Sequence, residues 1–208
     1  MASVRRDQIT ELHYIAPVGN IVSICREGIL CNRLSRQRQH QSVAMPEIQD
    51  RRARKAVPGG RRLHEYANLY FHARNPMLSR LRDQHAELCV LRINLAVLDL
   101  PEVVITSQNA ASDYAQFYPS PQGLANLNYE LVFAEYWTHP EDQILEWRHK
   151  SIKCAEVLVP QRISSEHILG AYVSNPTTKA NMENQLREEG LALNVTVNGR
   201  MFFQGGAP

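Results

Sequence analysis

The stretch LHYIAPVGNIVSICREGIL, residues 12–30, constrains the fold of this chain more than any other feature. Its first residues, around His13, alternate between apolar and polar in the manner of a β-strand. Ile21 and Ile24 then lie one helical turn apart, and Gly28 is typical of a residue that ends a helix. The stretch therefore predicts a strand, a short loop and an amphipathic helix in direct succession.

Composition is typical of a globular protein, with 208 residues, 44% hydrophobic residues and a net charge of +2. We expect one domain over residues 1–208, since no Ser/Gly-rich linker interrupts the chain. No run reaches the roughly 20 apolar residues of a membrane helix, and MASVRRDQIT lacks the apolar core of a secretory signal. The four cysteines show no CxxC pair and no zinc-like spacing. We expect a cytoplasmic protein without a metal site.

Residues 33–62 concentrate positive charge, with nine Lys and Arg residues against Glu47 and Asp50. Such a segment is either a solvated loop or a binding surface for an anion, such as a nucleic-acid backbone or a dinucleotide pyrophosphate. Its prolines and glycines predict a long loop with one short helix near residues 44–55.

The rest of the chain alternates predicted strands and helices. We expect strands near residues 67–71, 87–100, 151–160 (with Glu156 at the centre) and 167–175, a helix that begins at Pro140, a helix with a threonine cap over residues 177–190, a closing strand near residues 193–203 and a disordered GGAP tail. This order predicts an α+β fold.

Two features have open interpretations. A glutamate within the apolar run CAEVLV either faces solvent or lies in a cleft. Aromatic residues are also unusual in a segment as polar as 107–130. They either staple the segment to the protein body or stack on nucleic-acid bases.

Three motifs occur in an order that resembles one protein family. LHYI with its following helix, HEYANLYFHARNPM and KCAEVLVP, with the basic RRARK between the first two, resemble the DarT family of bacterial DNA ADP-ribosyltransferase toxins over residues 11–203. The resemblance implies an ADP-ribosyltransferase-like fold, two packed and mainly antiparallel sheets with flanking helices and an NAD cleft between them. It also implies transfer of ADP-ribose from NAD to a base in single-stranded DNA, with NAD consumed and no metal used.

The same resemblance assigns roles to residues. Glu156 is the expected catalytic carboxylate, since cleavage of nicotinamide from ribose develops positive charge at the anomeric carbon. Arg51 is the expected acceptor-activating residue, and Arg52 remains an alternative. The residues expected to bind NAD are His13, Asn20, Asn68, Tyr70 and Phe71.

Contacts to single-stranded DNA are expected from the basic segment and the 107–130 segment. These residues are Arg52, Arg54, Asn75, Tyr114, Phe117, Tyr118 and Asn126. The motif NLYFHARNPM resembles the thymidine-modifying members of the family more than the guanosine-modifying ones, which implies thymidine as the acceptor. We further expect a monomer, no membrane contact, and a macrodomain antitoxin of the DarG type as partner.

Two other functions fit the sequence. The chain could be a nucleic-acid-binding module without catalysis, in which Glu156 is structural. It could also be an ADP-ribosyltransferase that acts on RNA or protein. The binding module gives no reason for His13, Tyr70 and Glu156 to meet around one cleft, so their arrangement discriminates between the first alternative and an enzyme.

Overall fold

The computed structural model describes residues 2–205. Its strands are β1 (Leu12–Pro17), β2 (Ile29–Leu30), β3 (Tyr66–Tyr70), β4 (Leu88–Ile93), β5 (Val104–Thr106), β6 (Phe117–Pro119), β7 (Glu156–Pro160), β8 (Arg162–Ile163), β9 (Ile168–Val173) and β10 (Val195–Val197). Its helices are α1 (Ile21–Glu27), α2 (Asn32–Ser35), α3 (Pro46–Arg54), α4 (Pro76–Arg80), α5 (Tyr129–Val132), α6 (Gln143–Lys153) and α7 (Pro176–Glu188).

Eight strands form one sheet in the order β10-β9-β4-β1-β3-β7-β5-β6, and β2 pairs with β8 in a separate ladder. All neighbours in the large sheet are antiparallel except β9 and β10. The sheet consists of two four-stranded halves, which meet where β1 lies beside β3. The two halves correspond to the two packed sheets expected from the family resemblance.

The two halves are joined by a single register pair, His13 with Tyr70. Beyond that pair β1 and β3 diverge, although continued antiparallel pairing would place Ile15 opposite Asn68 and Pro17 opposite Tyr66. All four of these residues instead line one cavity. The cleft therefore opens where the hydrogen-bonded ladder between the two halves ends.

The largest core cluster lies against the sheet and includes side chains from β1, α1 and α7, such as Leu12, Ile21 and Met182, all fully buried. The opening strand–loop–helix unit is confirmed by β1 and α1. The expected alternation in β1 is not reflected in burial, because five of its six residues are buried and only Tyr14 is half-buried. A strand inside a sheet that is covered on both faces loses the alternation of an exposed one.

Two element boundaries near Glu156 differ from the sequence prediction. Helix α6 begins at Gln143 and not at Pro140, because the Asp142 side chain accepts a hydrogen bond from the Leu145 backbone (2.8 Å) and caps the helix. The helix then continues to Lys153, so Glu156 is the first residue of β7 and not its centre. The carboxylate consequently stands at the end of a strand, at the edge of the cleft.

Other predicted elements fall close to their expected positions. Helix α3 occupies the predicted helical part of the basic segment, and α2 was not expected. Helix α7 is capped by Asn175 and not by a threonine, since Pro176 supplies the first helical residue and the Asn175 side chain accepts from Thr178. Of the GGAP tail that was expected to be disordered, residues 206–208 lie outside the described residues.

Gly28 provides a test of the packing between α1 and β8. Its φ is +82°, and an added Cβ would lie 2.1 Å from the Ile163 carbonyl oxygen. Gly28→Ala should therefore lower the free energy of unfolding by several kcal/mol, more than the roughly 1–2 kcal/mol of left-handed backbone strain alone. Gly190→Ala is the matched control, because Gly190 has φ +68° and open space around the position of a Cβ. Equal losses for both variants in chemical denaturation would contradict the close approach.

Candidate active site

Three predicted site residues lie side by side across the sheet. His13 on β1 is the register partner of Tyr70 on β3, and Tyr70 is the register partner of Glu156 on β7. Directly opposed residues of antiparallel strands point to the same face. His13, Tyr70 and Glu156 therefore form a row on one face of the sheet, although 143 positions (156 − 13) separate the first from the last in sequence.

The Glu156 side chain is held on both carboxylate oxygens and is 1% exposed. Oε1 accepts hydrogen bonds from the Ala110 backbone amide (2.9 Å) and from Arg52 Nη1 (3.1 Å), and Oε2 accepts from Arg52 Nη1 (2.9 Å). The Glu156 backbone amide donates to Thr106 Oγ1 (2.9 Å). A buried carboxylate needs such partners, because desolvation of an unpaired charge is costly. The site thus presents one oriented, charge-compensated carboxylate.

Arg52 reaches this carboxylate from α3, the helix within the basic segment. Its side chain is 7% exposed, whereas the adjacent Arg51 is exposed. The Arg52 Nη2 atom is buried and has no hydrogen-bond partner among the described residues. An unpaired buried donor costs about 1–3 kcal/mol, and a ligand that carries an acceptor group would remove this cost. Arg52 therefore has a free donor beside Glu156.

The cleft beside this pair has a volume of about 660 Å³. Small-molecule sites typically measure about 300–1,000 Å³, so the cleft is large enough for a dinucleotide or for a nucleotide together with a base. Its walls are the diverging β1 and β3 on one side and residues 38–45 with α3 on the other. Glu156 and Cys154 lie in its lining.

Of the residues predicted to bind NAD, Tyr70 and Asn68 line the cleft. The Tyr70 hydroxyl donates to Met77 Sδ (3.1 Å). Burial, with the negative charge of Glu156, raises the pKa of Tyr70 well above its usual value, so this residue remains a neutral phenol. Asn20 also lines the cleft, but its amide bonds in both directions to the Gln41 backbone, at 2.8 and 3.0 Å. Asn20 therefore holds the 38–45 segment in place.

His13 lies in the row but outside the residues that line the cleft. Its Nε2 bonds to Glu11 (3.2 Å), which also accepts from Arg92 (2.7 Å). Burial alone would raise the pKa of Glu11, but the hydrogen bonds from His13 and Arg92 lower it to about 2. Within residues 2–205, His13 Nδ1 is buried without a partner. Any contact of His13 with NAD would have to use this atom.

Two predicted site residues are structural. Phe71 is 1% exposed and belongs to the main core cluster, so the prediction that it contacts NAD is wrong, and Tyr70 is the aromatic residue at the cleft. Asn75 is fully buried, accepts from the Leu78 backbone as the cap of α4 and donates to the His72 carbonyl. With its amide satisfied internally, Asn75 is unavailable to DNA.

The residues expected to contact DNA are dispersed. Tyr114 is 86% exposed and lies at the mouth of the cleft. Phe117 packs against a small core cluster and so staples the segment to the body, whereas the Tyr118 hydroxyl bonds to Gln116, two residues earlier in the same segment. Arg54 and Asn126 are exposed and lie outside the cleft lining.

Sequence reasoning missed the contacts that join the two predicted segments. Lys55 Nζ lies 3.1 Å from Asp113 and donates to the Ser112 carbonyl, so the basic segment is tied to the segment that supplies the Ala110 amide. Alternation and motif spacing carry no signal for such contacts, because both segments are loops in the sequence. Among residues 2–205, no group of three or more His, Cys, Asp or Glu side chains is placed to hold a metal ion, and no helix is long and apolar enough to cross a membrane.

A family model described as "ssDNA thymidine ADP-ribosyltransferase, DarT" matches residues 13–203. The chain belongs to the DarT family. The matched region contains the whole row from His13 to Glu156, the basic segment and all seven helices. The family resemblance of the three sequence motifs is thus confirmed.

Similar proteins occur in Thermus and Thermosipho. A DNA ADP-ribosyl transferase from Thermus sp. 2.9 is 30% identical over 161 residues, which covers 72% of this chain and 74% of that protein. A DNA ADP-ribosyl transferase–DNA ADP-ribosyl glycohydrolase fusion protein from Thermosipho africanus is 29% identical over 191 residues, 87% of this chain. This chain spans about half of the fusion protein, 47% of its length.

Solved DarT structures share the fold. The Thermus sp. 2.9 DarT in complex with ADP-ribosylated ssDNA superimposes with a TM-score of 0.82 at 23% identity and covers 96% of this chain and 99% of that one. The Thermosipho africanus DarTG in complex with ADP-ribose gives a TM-score of 0.77 at 27% identity, with 93% of this chain and 51% of that one covered. The predicted ADP-ribosyltransferase-like α+β fold is confirmed.

The neighbouring arginines of α3 allow a matched test of the buried pair. Arg52→Ala would leave the Glu156 carboxylate buried without its cation, so the free energy of unfolding should fall by about 3–5 kcal/mol. Arg51→Ala, one residue earlier and exposed, should change it by no more than about 0.5 kcal/mol. Denaturant titration of both variants measures the difference. Similar stabilities for the two variants would show that Arg52 does not neutralise Glu156.

Proposed function

We propose that this chain is a toxin that transfers ADP-ribose from NAD to thymidine in single-stranded DNA and releases nicotinamide. The observation that carries the proposal is the buried Glu156–Arg52 pair at the base of a cleft large enough for NAD, in a chain of the DarT family. A nucleic-acid-binding module has no use for a desolvated carboxylate at this position, whereas glycosyl transfer does.

Glu156 acts on the positive charge that develops at the anomeric carbon when the bond to nicotinamide breaks. Nicotinamide leaves with the bonding electrons and is neutral, and the ribosyl carbon becomes cation-like. A carboxylate fixed by Ala110 and Arg52 is already oriented, so little reorganisation is needed during the reaction. Its role is electrostatic stabilisation of the transition state.

Arg52 replaces Arg51 as the proposed acceptor-activating residue. A thymine ring nitrogen attacks the anomeric carbon, forms the new glycosidic bond and loses its proton to solvent. The guanidinium does not remove this proton, because an arginine stays protonated. Its free Nη2 donor instead stabilises the negative charge that builds up on the thymine ring. The proposed role of Arg51, which is exposed in the cleft lining, is contact with a phosphate.

NAD binding is assigned to the wall formed by β1 and β3. Tyr70 provides an aromatic face next to Glu156, and Asn68 provides an amide two residues earlier on the same strand, hence on the same face. His13 Nδ1, the buried free nitrogen of the row, is the proposed contact to a ribose hydroxyl. Asn20 contributes indirectly by holding the opposite wall.

The biological setting is proposed from the family. The Thermosipho relative joins a transferase to a DNA ADP-ribosyl glycohydrolase in one protein. We propose that this chain, as a monomeric cytoplasmic domain, is counteracted by a separate macrodomain hydrolase of the DarG type, which removes ADP-ribose from DNA.

Mass spectrometry of single-stranded oligonucleotides incubated with NAD and this protein tests the function. We expect one ADP-ribose on a thymidine and an equal amount of nicotinamide released. Glu156→Gln keeps an acceptor for the Ala110 amide but removes the charge, so transfer should fall on the order of 100-fold or more. Glu188→Gln, exposed on α7, is the control and should retain full activity.

Each alternative outcome has a separate meaning. Transfer by the Glu156→Gln variant within about tenfold of wild type would remove Glu156 from the mechanism. Modification of RNA or of a protein, with every DNA oligonucleotide left intact, would show that the acceptor is wrong while the reaction class is right.

Duplex DNA should be a poor substrate compared with a single strand of the same sequence. Extrusion of a paired base costs a few kcal/mol, and the cleft presents a single exposed aromatic, Tyr114, at its mouth. Initial rates on single strands should also fall steeply between about 50 and 200 mM salt, because phosphate contacts release counterions. Equal rates on duplex and single strand would contradict the assignment of an unpaired acceptor.

A further inference from the structure

Helix α6 carries apolar side chains on its surface that the core does not explain. Trp147 is 60% exposed and Ile144 is 77% exposed. The buried residues of this helix, His149 and Lys153, lie on its opposite side, since they are displaced from Trp147 by about 200° and 240° at 100° per residue. Single exposed apolar residues are common, but two large ones three residues apart on one helix form a patch, and exposed apolar patches mark surfaces with a partner.

The outer face of α6 leads towards the active site. At 3.6 residues per turn, Ile144, Trp147 and Ser151 lie along one side of the helix, with Lys150 beside them. Lys150 and Ser151 both line the cleft. The rise from Trp147 to Ser151 is about 6 Å at 1.5 Å per residue, so Trp147 lies roughly one turn outside the lining.

The segment that holds the catalytic carboxylate also contacts this face. The Asn109 amide donates to the Ser151 carbonyl (2.9 Å), and the next residue, Ala110, donates to Glu156. The same segment ends at the exposed Tyr114 in the cleft mouth. Tyr114 and Trp147 are thus exposed aromatic residues on two elements, the 109–114 segment and α6, that this backbone contact joins.

Charge along α6 favours an anionic partner at the end of the helix near the cleft. Arg148, next to Trp147, is exposed and has no ion pair within residues 2–205, and Lys150, two residues further along the helix, lines the cleft and pairs with Glu146 (2.6 Å). Glu146 is compensated by Lys150 within the helix, and the other acidic residues nearby, Glu141 and Asp142, lie at the far end before the helix begins. A strand of nucleotides could place its bases on Trp147 and its phosphates near these cations, as proteins that bind single strands commonly do.

We propose that the outer face of α6, Trp147 with Ile144, stacks on bases of the single strand that flank the target nucleotide. This inference rests on the proposed function and extends its DNA site beyond the cleft. Trp147 is a binding residue for neighbouring nucleotides, and the reacting base remains at Arg52 and Glu156. The length of the strand, and not only the target base, therefore determines how tightly DNA is held.

The test compares binding and turnover for oligonucleotides of different length. A labelled single strand with one thymidine and several nucleotides on each side is titrated without NAD and followed by fluorescence anisotropy. Trp147→Ala should weaken this binding on the order of 10-fold, the usual loss of one base-stacking contact. Trp147→Phe, which retains an aromatic face, should restore most of it. Leu169→Ala is the control, because Leu169 is 42% exposed on β9, outside the cleft lining.

Turnover gives an independent readout. In wild type, KM should be lower for the long strand than for one with a single nucleotide on each side. Trp147→Ala should raise KM for the long strand and so remove most of this difference. The kcat for the long strand should be largely retained. If Trp147→Ala binds the long strand with wild-type affinity, the inference is overturned, and a protein partner would then be the better explanation of this face. If wild type binds the strand but transfers nothing to it, the proposed function fails, and the anisotropy series still decides the inference. Absence of any binding by wild type overturns it.

Discussion

The buried pair between Arg52 and Glu156 is the interaction on which the site depends. Glu156 is the first residue of β7 and is buried, so its charge is uncompensated unless a cation reaches it. The cation comes from α3, 104 residues earlier in the chain. Because the side chain of Arg52 must extend to the sheet, α3 is held over the cleft, and the otherwise exposed basic segment becomes its second wall.

This pair also explains how far sequence reasoning could succeed. Glu156, Tyr70 and His13 could be predicted as site residues because motifs in the right order carry a family signature, and the structure brings the three into one row. The choice between Arg51 and Arg52 was not available from the sequence, since adjacent residues of a short helix point in directions about 100° apart and only the packing of α3 decides which one faces the sheet. Phe71 and Asn75 were misassigned for a similar reason. Their residue types suit a site, but one is absorbed by the core and the other by a helix cap.

Element boundaries near the site follow the same logic. A side-chain cap at Asp142 delays the start of α6, and the helix extends almost to Glu156, so a run of apolar residues that resembles a strand in sequence is divided between two elements. Local propensity is weak compared with tertiary packing in such a run. The fold class itself was predictable, because it depends on the number and order of strands and helices and not on where each one ends.

The divergence of β1 and β3 has a further consequence for the behaviour of the molecule. A cavity between the unpaired segments of two strands requires no ladder hydrogen bond to be broken when a ligand enters, so access to the site need not compete with the stability of the sheet. The His13–Tyr70 pair then holds the two strands together at one end of the cleft, and the strands separate from there. In the diverging segments β1 is ladder-bonded only to β4, and β3 only to β7, whereas β7 is ladder-bonded to both of its neighbours. Protection from solvent exchange should thus change abruptly across the width of one strand, with substrate bound on the less protected side.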